Sequence, residues 1–84
     1  MFKVIFYTKE NCSLCTEAEQ LLNLFQTRFS FRLEKRDIYK NDVWLAKYQL
    51  EIPVIEVNGK QLQSEEINYD SIETLLKEGE KNLS

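Results

Sequence analysis

The sequence predicts an α/β (α+β) domain in which a four-stranded mixed sheet carries helices on both faces, with the element order βαβ-α-ββα. Three observations predict this class: an apolar run near the start, apolar residues at helical spacing after it, and an Asn-Gly pair between two short strand-like runs. The chain has 84 residues, of which 43% are hydrophobic and 30% are charged, a composition typical of globular proteins. We therefore expect residues 1–84 to form a single domain.

The first part of the chain predicts a βαβ unit. The run KVIFYT, from Lys3 to Thr8, is β-branched and aromatic on both faces, which is typical of a central strand. Asn11 is a candidate N-cap for a helix from about Cys12 to about Arg28. The stretch FSFRLEKRDI then alternates apolar and polar residues, so it predicts a second strand, parallel to the first after a right-handed crossover. The apolar positions of the helix are Leu14, Ala18, Leu21, Leu22 and Phe25.

The middle of the chain predicts a short helix followed by a β-hairpin. The stretch NDVWLAKYQL has apolar residues suited to a helix, after a candidate cap at Asn41 or Asp42. Pro53 lies where the next strand begins, a position that tolerates proline. Asn58 and Gly59 separate two short runs and predict a type I′ turn between antiparallel strands.

The end of the chain predicts a third helix. Asp70 and Glu73 are spaced as in a capping box, with Asp in place of the usual Ser or Thr. Gly79 is placed to end the helix. Residues 78–84 are therefore expected to form a frayed tail.

Charge and hydropathy exclude two classes of partner. The net charge is −3, and the densest positive cluster, Lys35-Arg36, is followed at once by Asp37, so the basic face that nucleic-acid binding needs is missing. No stretch approaches the ~18 apolar residues of a membrane span, and the start shows no signal-peptide pattern. We therefore expect a cytoplasmic protein without nucleic acid or membrane as partner. The chain has no histidine, which excludes Cys–His catalysis and His-containing zinc sites.

The two cysteines form a C-x-x-C pair between the first strand and the first helix. At a helix N-terminus, Cys12 faces unsatisfied N–H groups and the positive end of the dipole, which favour a thiolate. Cys15 lies one turn further on the same helix face, at a spacing that a disulfide can span. We expect Cys12 to attack and Cys15 to resolve the mixed disulfide, with Lys9 adding positive charge beside Cys12.

Other interpretations of the pair stay open. One alternative is that both cysteines are small buried apolar residues without chemistry, but their spacing, their strand-to-helix position and the element order disfavour it. Zinc within one chain is disfavoured because four ligands are usual and the chain has two thiols. A metal or iron–sulfur cluster shared between two chains is an alternative, and an inert interaction protein is another. Tyr7, Trp44 and Tyr48 are candidates for a substrate groove, although aromatic residues at these spacings also suit a core.

Three features together resemble the glutaredoxin branch of the thioredoxin fold: YTKENCSLC, EIPVIEV and the βαβ-α-ββα order. The likeness reaches to about Lys77 and is strongest to small bacterial glutaredoxin-like proteins with a C-x-L-C motif. It implies a thiol–disulfide oxidoreductase in cell redox homeostasis. It also implies that Pro53 is cis beside the cysteines, that Ile52 offers its backbone to an extended substrate, and that Lys9 is the basic residue before the first cysteine.

One segment departs from the family pattern. Glutaredoxins carry a Gly-Gly pair and an Asp before the last helix to hold glutathione, whereas LQSEEINYD contains no glycine. Asp70 falls near the position of the family Asp, and Glu65 and Glu66 would repel glutathione carboxylates if they faced the site. We expect a monomer that acts on a protein or small-molecule disulfide, with no tightly bound cofactor and no metal. Glutathione or a reductase would be its reductant.

Overall fold

A four-stranded mixed sheet forms the centre of the molecule. The computed structural model, which describes residues 1–82, has β1 at Phe2–Thr8, β2 at Phe31–Asp37, β3 at Val54–Val57 and β4 at Lys60–Gln63. The strand order across the sheet is β2-β1-β3-β4. β1 pairs in parallel with β2 and antiparallel with β3, and β3 and β4 form an antiparallel hairpin. The predicted mixed sheet is therefore confirmed.

In the described part of the chain, three helices accompany the sheet. α1 spans Ser13–Phe25, α2 spans Asp42–Tyr48 and α3 spans Tyr69–Lys81, while short 3-10 turns occupy Ile38–Lys40 and Ser64–Glu66. The observed order of elements is the predicted one, with the two 3-10 turns added before α2 and α3. Within residues 1–82, no helix combines the length and the apolar content needed to cross a membrane.

β1 separates two apolar clusters, because alternate side chains of a strand point to opposite faces of the sheet. Phe2, Val4 and Phe6 enter the larger cluster, to which α1 and α3 contribute. Tyr7 enters the smaller cluster, to which α2 contributes Tyr48. The prediction of helices on both faces is thus confirmed. The buried helical residues of the larger cluster are Cys15, Ala18, Leu22, Phe25, Ile72, Leu75 and Leu76.

The start and end of α1 differ from the prediction. Asn11 has a φ of 55°, in the left-handed region, and Cys12 takes the N-cap position in its place. At the other end, the helix stops at Phe25 rather than near Arg28, since the Arg28 N–H donates to the Phe25 carbonyl in a tighter turn at 2.9 Å. The Phe29 N–H donates to the same carbonyl, so β2 begins only at Phe31.

The predicted caps of the other two helices had different outcomes. Of the two candidates for α2, Asn41 is the cap, and its side chain accepts hydrogen bonds from the Val43 and Trp44 backbone N–H groups. The Asp70–Glu73 capping box is wrong. Asn68 caps α3 instead, and its side chain accepts from the Ser71 N–H at 2.8 Å while the Ser71 hydroxyl accepts from the Asn68 N–H at 3.0 Å. Asp70 lies inside the first turn.

The hairpin turn agrees with the prediction. Asn58 has a φ of 52° and Gly59 a φ of 83°, so both central residues are left-handed, as a type I′ turn requires. The turn lets β3 and β4 pair directly, with Val57 opposite Lys60.

Gly79 does not end α3, contrary to the prediction. It is buried inside the helix, where a Cβ would lie 2.6 Å from Val57 Cγ1 and 3.0 Å from the Phe2 ring. The glycine therefore allows α3 to approach the sheet closely, and the helix continues to Lys81. The prediction of a frayed tail over residues 78–84 is therefore wrong for residues 78–81, which are helical. Leu83 and Ser84, the last two residues of the predicted tail, lie outside the described residues.

We predict that Gly79→Ala lowers the free energy of unfolding by about 1–2 kcal/mol. Overpacking a core contact costs about 1–3 kcal/mol, and the better helix propensity of alanine returns up to ~1 kcal/mol. Urea denaturation of the two proteins measures the difference.

A second background tests whether the contact with Val57 is the cause. In a Val57→Ala chain, Cγ1 is absent, so Gly79→Ala should cost less by at least about 0.5 kcal/mol, as expected for residues in direct contact. If Gly79→Ala lowered the free energy of unfolding equally in both backgrounds, the contact with Val57 would not be the cause of the destabilisation.

Candidate active site

Cys12 occupies the N-cap of α1, directly after the loop that follows β1. Its sulfur accepts a hydrogen bond from the Cys15 backbone N–H at 3.2 Å, and its carbonyl accepts from the Thr16 N–H at 3.0 Å. A sulfur in this position lies at the positive end of the helix dipole. The two contacts fix Cys12 at the start of α1, and its side chain is partly exposed.

Cys15 has a different environment, although it lies only one turn further along α1. It is 3% exposed and packs in the larger apolar cluster, and both thiols are free. Burial raises the pKa of the Cys15 thiol, and the neighbouring Cys12 side chain raises it further. The Thr8 side chain and the Lys9 backbone act in the opposite direction and lower this pKa. The structure thus brings together one accessible sulfur and one buried sulfur.

Ile52 and Pro53 lie at the entry to β3. The peptide bond between them is cis, as the family resemblance implied, and the Pro53 side chain is fully buried. Ile52 is partly buried and, like Cys12, packs against the larger cluster. Its N–H donates to the Tyr48 carbonyl at 3.2 Å.

Tyr7 is a core residue, which corrects its assignment to a substrate groove. It is 5% exposed, and its ring lies 4.2 Å from the Tyr48 ring and 6.0 Å from the Trp44 ring, measured between centroids. Its hydroxyl accepts a hydrogen bond from Arg36 at 3.0 Å. Burial and then Tyr48 raise the pKa of Tyr7, and Arg36 opposes this shift. The strand periodicity turns Tyr7 away from α1, toward the smaller cluster.

A cavity of about 660 Å³ lies beside Cys15, between the N-terminal half of α1 and the carboxyl ends of β1 and β2. Sequence reasoning missed it because its walls come from segments that only the parallel register of β1 and β2 brings together, with Thr8 opposite Asp37. The one signal for it is that carboxyl ends of parallel strands meet at one edge of a sheet. Residues that line the cavity include Thr8, Lys9, Glu10, Cys15, Thr16 and Glu19.

The described part of the chain offers no metal centre of its own. Within residues 1–82, no group of three or more His, Cys, Asp or Glu side chains is arranged to hold an ion. A metal on Cys12 and Cys15 would therefore need ligands from outside these residues.

The segment between β4 and α3 carries acidic side chains in place of glycines. Glu65 and Glu66 are exposed, and a Glu66 carboxylate oxygen accepts from the Gln63 N–H at 2.9 Å. The Ser64 N–H donates to the Pro53 carbonyl at 2.8 Å, which ties this segment to the loop before β3. The carboxylates thus belong to a segment that is anchored beside the Ile52–Pro53 bond.

The sequence matches a known protein family. A family model described as "Glutaredoxin-like domain (DUF836)" matches residues 3–77.

Several solved structures are similar to this one. A structural genomics target from X. campestris superposes with a TM-score of 0.74 at 21% identity, over 89% of this chain and 96% of that one. A thioredoxin mutant from Halobacterium salinarum superposes with a TM-score of 0.65 at 16% identity, over 90% of this chain and 72% of that one. Mitochondrial thioredoxin 3 from Saccharomyces cerevisiae superposes with a TM-score of 0.62 at 19% identity, over 90% of this chain and 76% of that one. These likenesses confirm the predicted thioredoxin-like fold.

We predict that iodoacetamide modifies Cys12 faster than Cys15 at neutral pH. Cys15 is buried, which limits access of the reagent, and its raised pKa keeps it protonated. Raising the pH should accelerate the modification of Cys15, because its thiolate forms only as the pH approaches the raised pKa. Mass spectrometry of peptides from Cys12→Ser and Cys15→Ser chains assigns each rate, and equal rates at neutral pH would contradict the proposed asymmetry.

Proposed function

The chain belongs to the glutaredoxin-like domain family, and on that premise we propose that it is a thiol–disulfide oxidoreductase that uses Cys12 and Cys15 in cell redox homeostasis. Membership of this family supports a role in thiol redox chemistry in general. The asymmetry of the two sulfur environments supports the more specific proposal: Cys12 caps α1 and is partly exposed, and Cys15 is buried one turn further along the helix.

Each sulfur has one step in the proposed reaction. The Cys12 thiolate attacks a substrate disulfide, so that a bond forms between Cys12 Sγ and one substrate sulfur while the other leaves with the electron pair and takes a proton from water. The Cys15 thiolate then attacks Cys12 Sγ, and the second substrate sulfur leaves in the same way. The substrate gains two electrons and two protons in total, and the chain is left with a Cys12–Cys15 disulfide.

Other residues of the site are assigned to binding. Pro53 and the Ile52 carbonyl are proposed to align an extended protein or small-molecule disulfide beside Cys12, by adding backbone contacts. Lys9 is proposed to contribute positive charge next to the attacking sulfur. Glutathione, as a co-substrate, or a reductase would return two electrons to the disulfide. The proposal needs no tightly bound cofactor.

We predict that single cysteine variants separate the two steps. With a chromogenic aryl disulfide, Cys12→Ser should lose activity by at least about 100-fold, since the buried Cys15 cannot replace the attacking thiolate. Cys15→Ser should release one aryl thiol rapidly and then stall as a mixed disulfide on Cys12. Stopped-flow absorbance and intact mass follow both events, and the idea fails if Cys15→Ser turns over like the unmodified chain.

We predict that titration with mixtures of reduced and oxidised glutathione converts the dithiol into the intramolecular Cys12–Cys15 disulfide. Glutathionylated Cys12 should accumulate only in the Cys15→Ser chain, because Cys15 resolves it in the unmodified chain. Mass spectrometry after acid quenching counts both species. Persistent glutathionylation of the unmodified chain, without an internal disulfide, would rule out Cys15 as the resolving residue.

A further inference from the structure

Thr8 is the last residue of β1, and its side chain lies on the same face of the sheet as Cys15. Phe2, Val4 and Phe6 point into the cluster that contains Cys15, and the period of two along a strand gives Thr8 the same direction. Thr8 and Cys15 also line the same cavity. The end of β1 thus places a hydroxyl beside the buried sulfur.

The Thr8 hydroxyl is held only weakly by its present partner. It donates to the Lys9 carbonyl at 3.5 Å, a long separation for an O–H donor, so the bond costs little to break. Thr8 and Cys15 line the same cavity from one face of the sheet, and, in agreement with this placement, the Thr8 side chain lowers the pKa of the Cys15 thiol. Reorienting this donor toward a negatively charged sulfur would replace a weak hydrogen bond with a charge-assisted one.

The second step of the proposed reaction creates a need for such a donor. Cys15 must lose its proton before it attacks Cys12 Sγ, and its burial disfavours the charged form. We propose that Thr8 is the positioning residue for this step: its hydroxyl donates a hydrogen bond to Cys15 Sγ while that sulfur becomes a thiolate and attacks Cys12. The inference rests on the proposed function, in which Cys15 is the resolving residue.

The cavity completes the proton balance of the step. The proton of Cys15 passes to water, because exposed residues such as Glu10 line the cavity and make it continuous with solvent. The departing substrate sulfur takes a proton from water on the Cys12 side, so no other oxidant, reductant or base is required. Thr8 keeps its own proton throughout and acts only as a donor.

Charged groups also face this cavity, and the cations Lys35 and Arg36 have partners of their own. Glu19 of α1 is paired with Lys35 of β2 at 2.8 Å, and Arg36 is held by Glu34 and the Tyr7 hydroxyl. The charged residues in the cavity wall, from the loop after β1, from α1, from β2 and from the segment before α2, are Lys9, Glu10, Glu19, Lys35, Arg36, Asp37 and Lys40.

The test compares the unmodified chain with Thr8→Val, which keeps the shape of the side chain and removes the hydroxyl. A mixed disulfide is formed on Cys12 with the aryl reagent, and release of its aryl thiol by Cys15 is timed from low to high pH. If loss of the hydrogen bond reduces the thiolate fraction about tenfold, the freed thiolate becomes about threefold more nucleophilic, because nucleophilicity follows basicity with a coefficient of about 0.5.

The expected result is therefore a crossing of the two pH profiles. Thr8→Val should be about threefold slower near neutral pH and about threefold faster at a pH where Cys15 is fully ionised. Thr8→Ser, which restores a hydroxyl, should recover the original profile. A rate that falls by the same factor at every pH would indicate structural damage and would overturn the proposal, as would an unchanged profile.

Thr16→Val provides a matched control. Thr16 lines the same cavity, but its hydroxyl donates to the Cys12 carbonyl at 3.1 Å. Removing this hydroxyl should leave the midpoint of the pH profile in place. An upward shift equal to that of Thr8→Val would show that the effect comes from polarity of the cavity, and it would overturn the role of Thr8.

A second measurement keeps the inference separate from the proposed function. In a Cys12→Ser chain, the ¹³Cβ chemical shift of Cys15 reports its ionisation by NMR without any exchange reaction. Adding Thr8→Val should raise the pKa of Cys15 by about one pH unit, the size of one hydrogen bond to a charged group. No rise would overturn the role of Thr8. Failure of Cys15 to release aryl thiol from the unmodified chain would instead overturn the proposed function.

Discussion

The parallel pairing of β1 with β2 is the constraint on which the site depends. Two parallel neighbours need a crossover, so α1 must run back across the sheet, and its N-terminus is set at the carboxyl end of β1. The first turn of α1 therefore carries Cys12 at its cap and Cys15 against the sheet. The same crossover packs Ala18, Leu22 and Phe25 into the larger cluster, which holds that first turn in place.

The contrast between the two sulfurs follows from this placement. Cys12 caps α1 and accepts a hydrogen bond from the Cys15 N–H, whereas Cys15 is buried and its burial raises its pKa. A pair with equal environments would have no reason to divide attack and resolution between its members. In the proposed reaction, the depth of each thiol sets the order of events, and the groups beside Cys15 oppose the rise in its pKa.

The opposite face of the sheet has a structural role. Tyr7, Trp44 and Tyr48 pack together, and the guanidinium of Arg36 lies 5.0 Å from the Trp44 ring and 5.5 Å from the Tyr7 ring. These contacts hold α2 on the sheet, and the Tyr48 carbonyl accepts the Ile52 N–H. The aromatic cluster is thereby connected to the cis bond before Pro53, and its Trp44 also lines the cavity beside Cys15.

The sequence by itself determined the element order, the type I′ turn at Asn58 and Gly59, and a thiol pair at the start of α1. Each of these features follows from the spacing of nearby residues or from the φ preference of one or two residues, so it depends only on the local sequence. Tertiary structure decided that Cys12 rather than Asn11 caps α1, that Gly79 lies within α3, and that Thr8 and Cys15 line one cavity. Those outcomes depend on how closely β1, α1 and α3 approach one another, and packing between segments distant in the chain sets that distance.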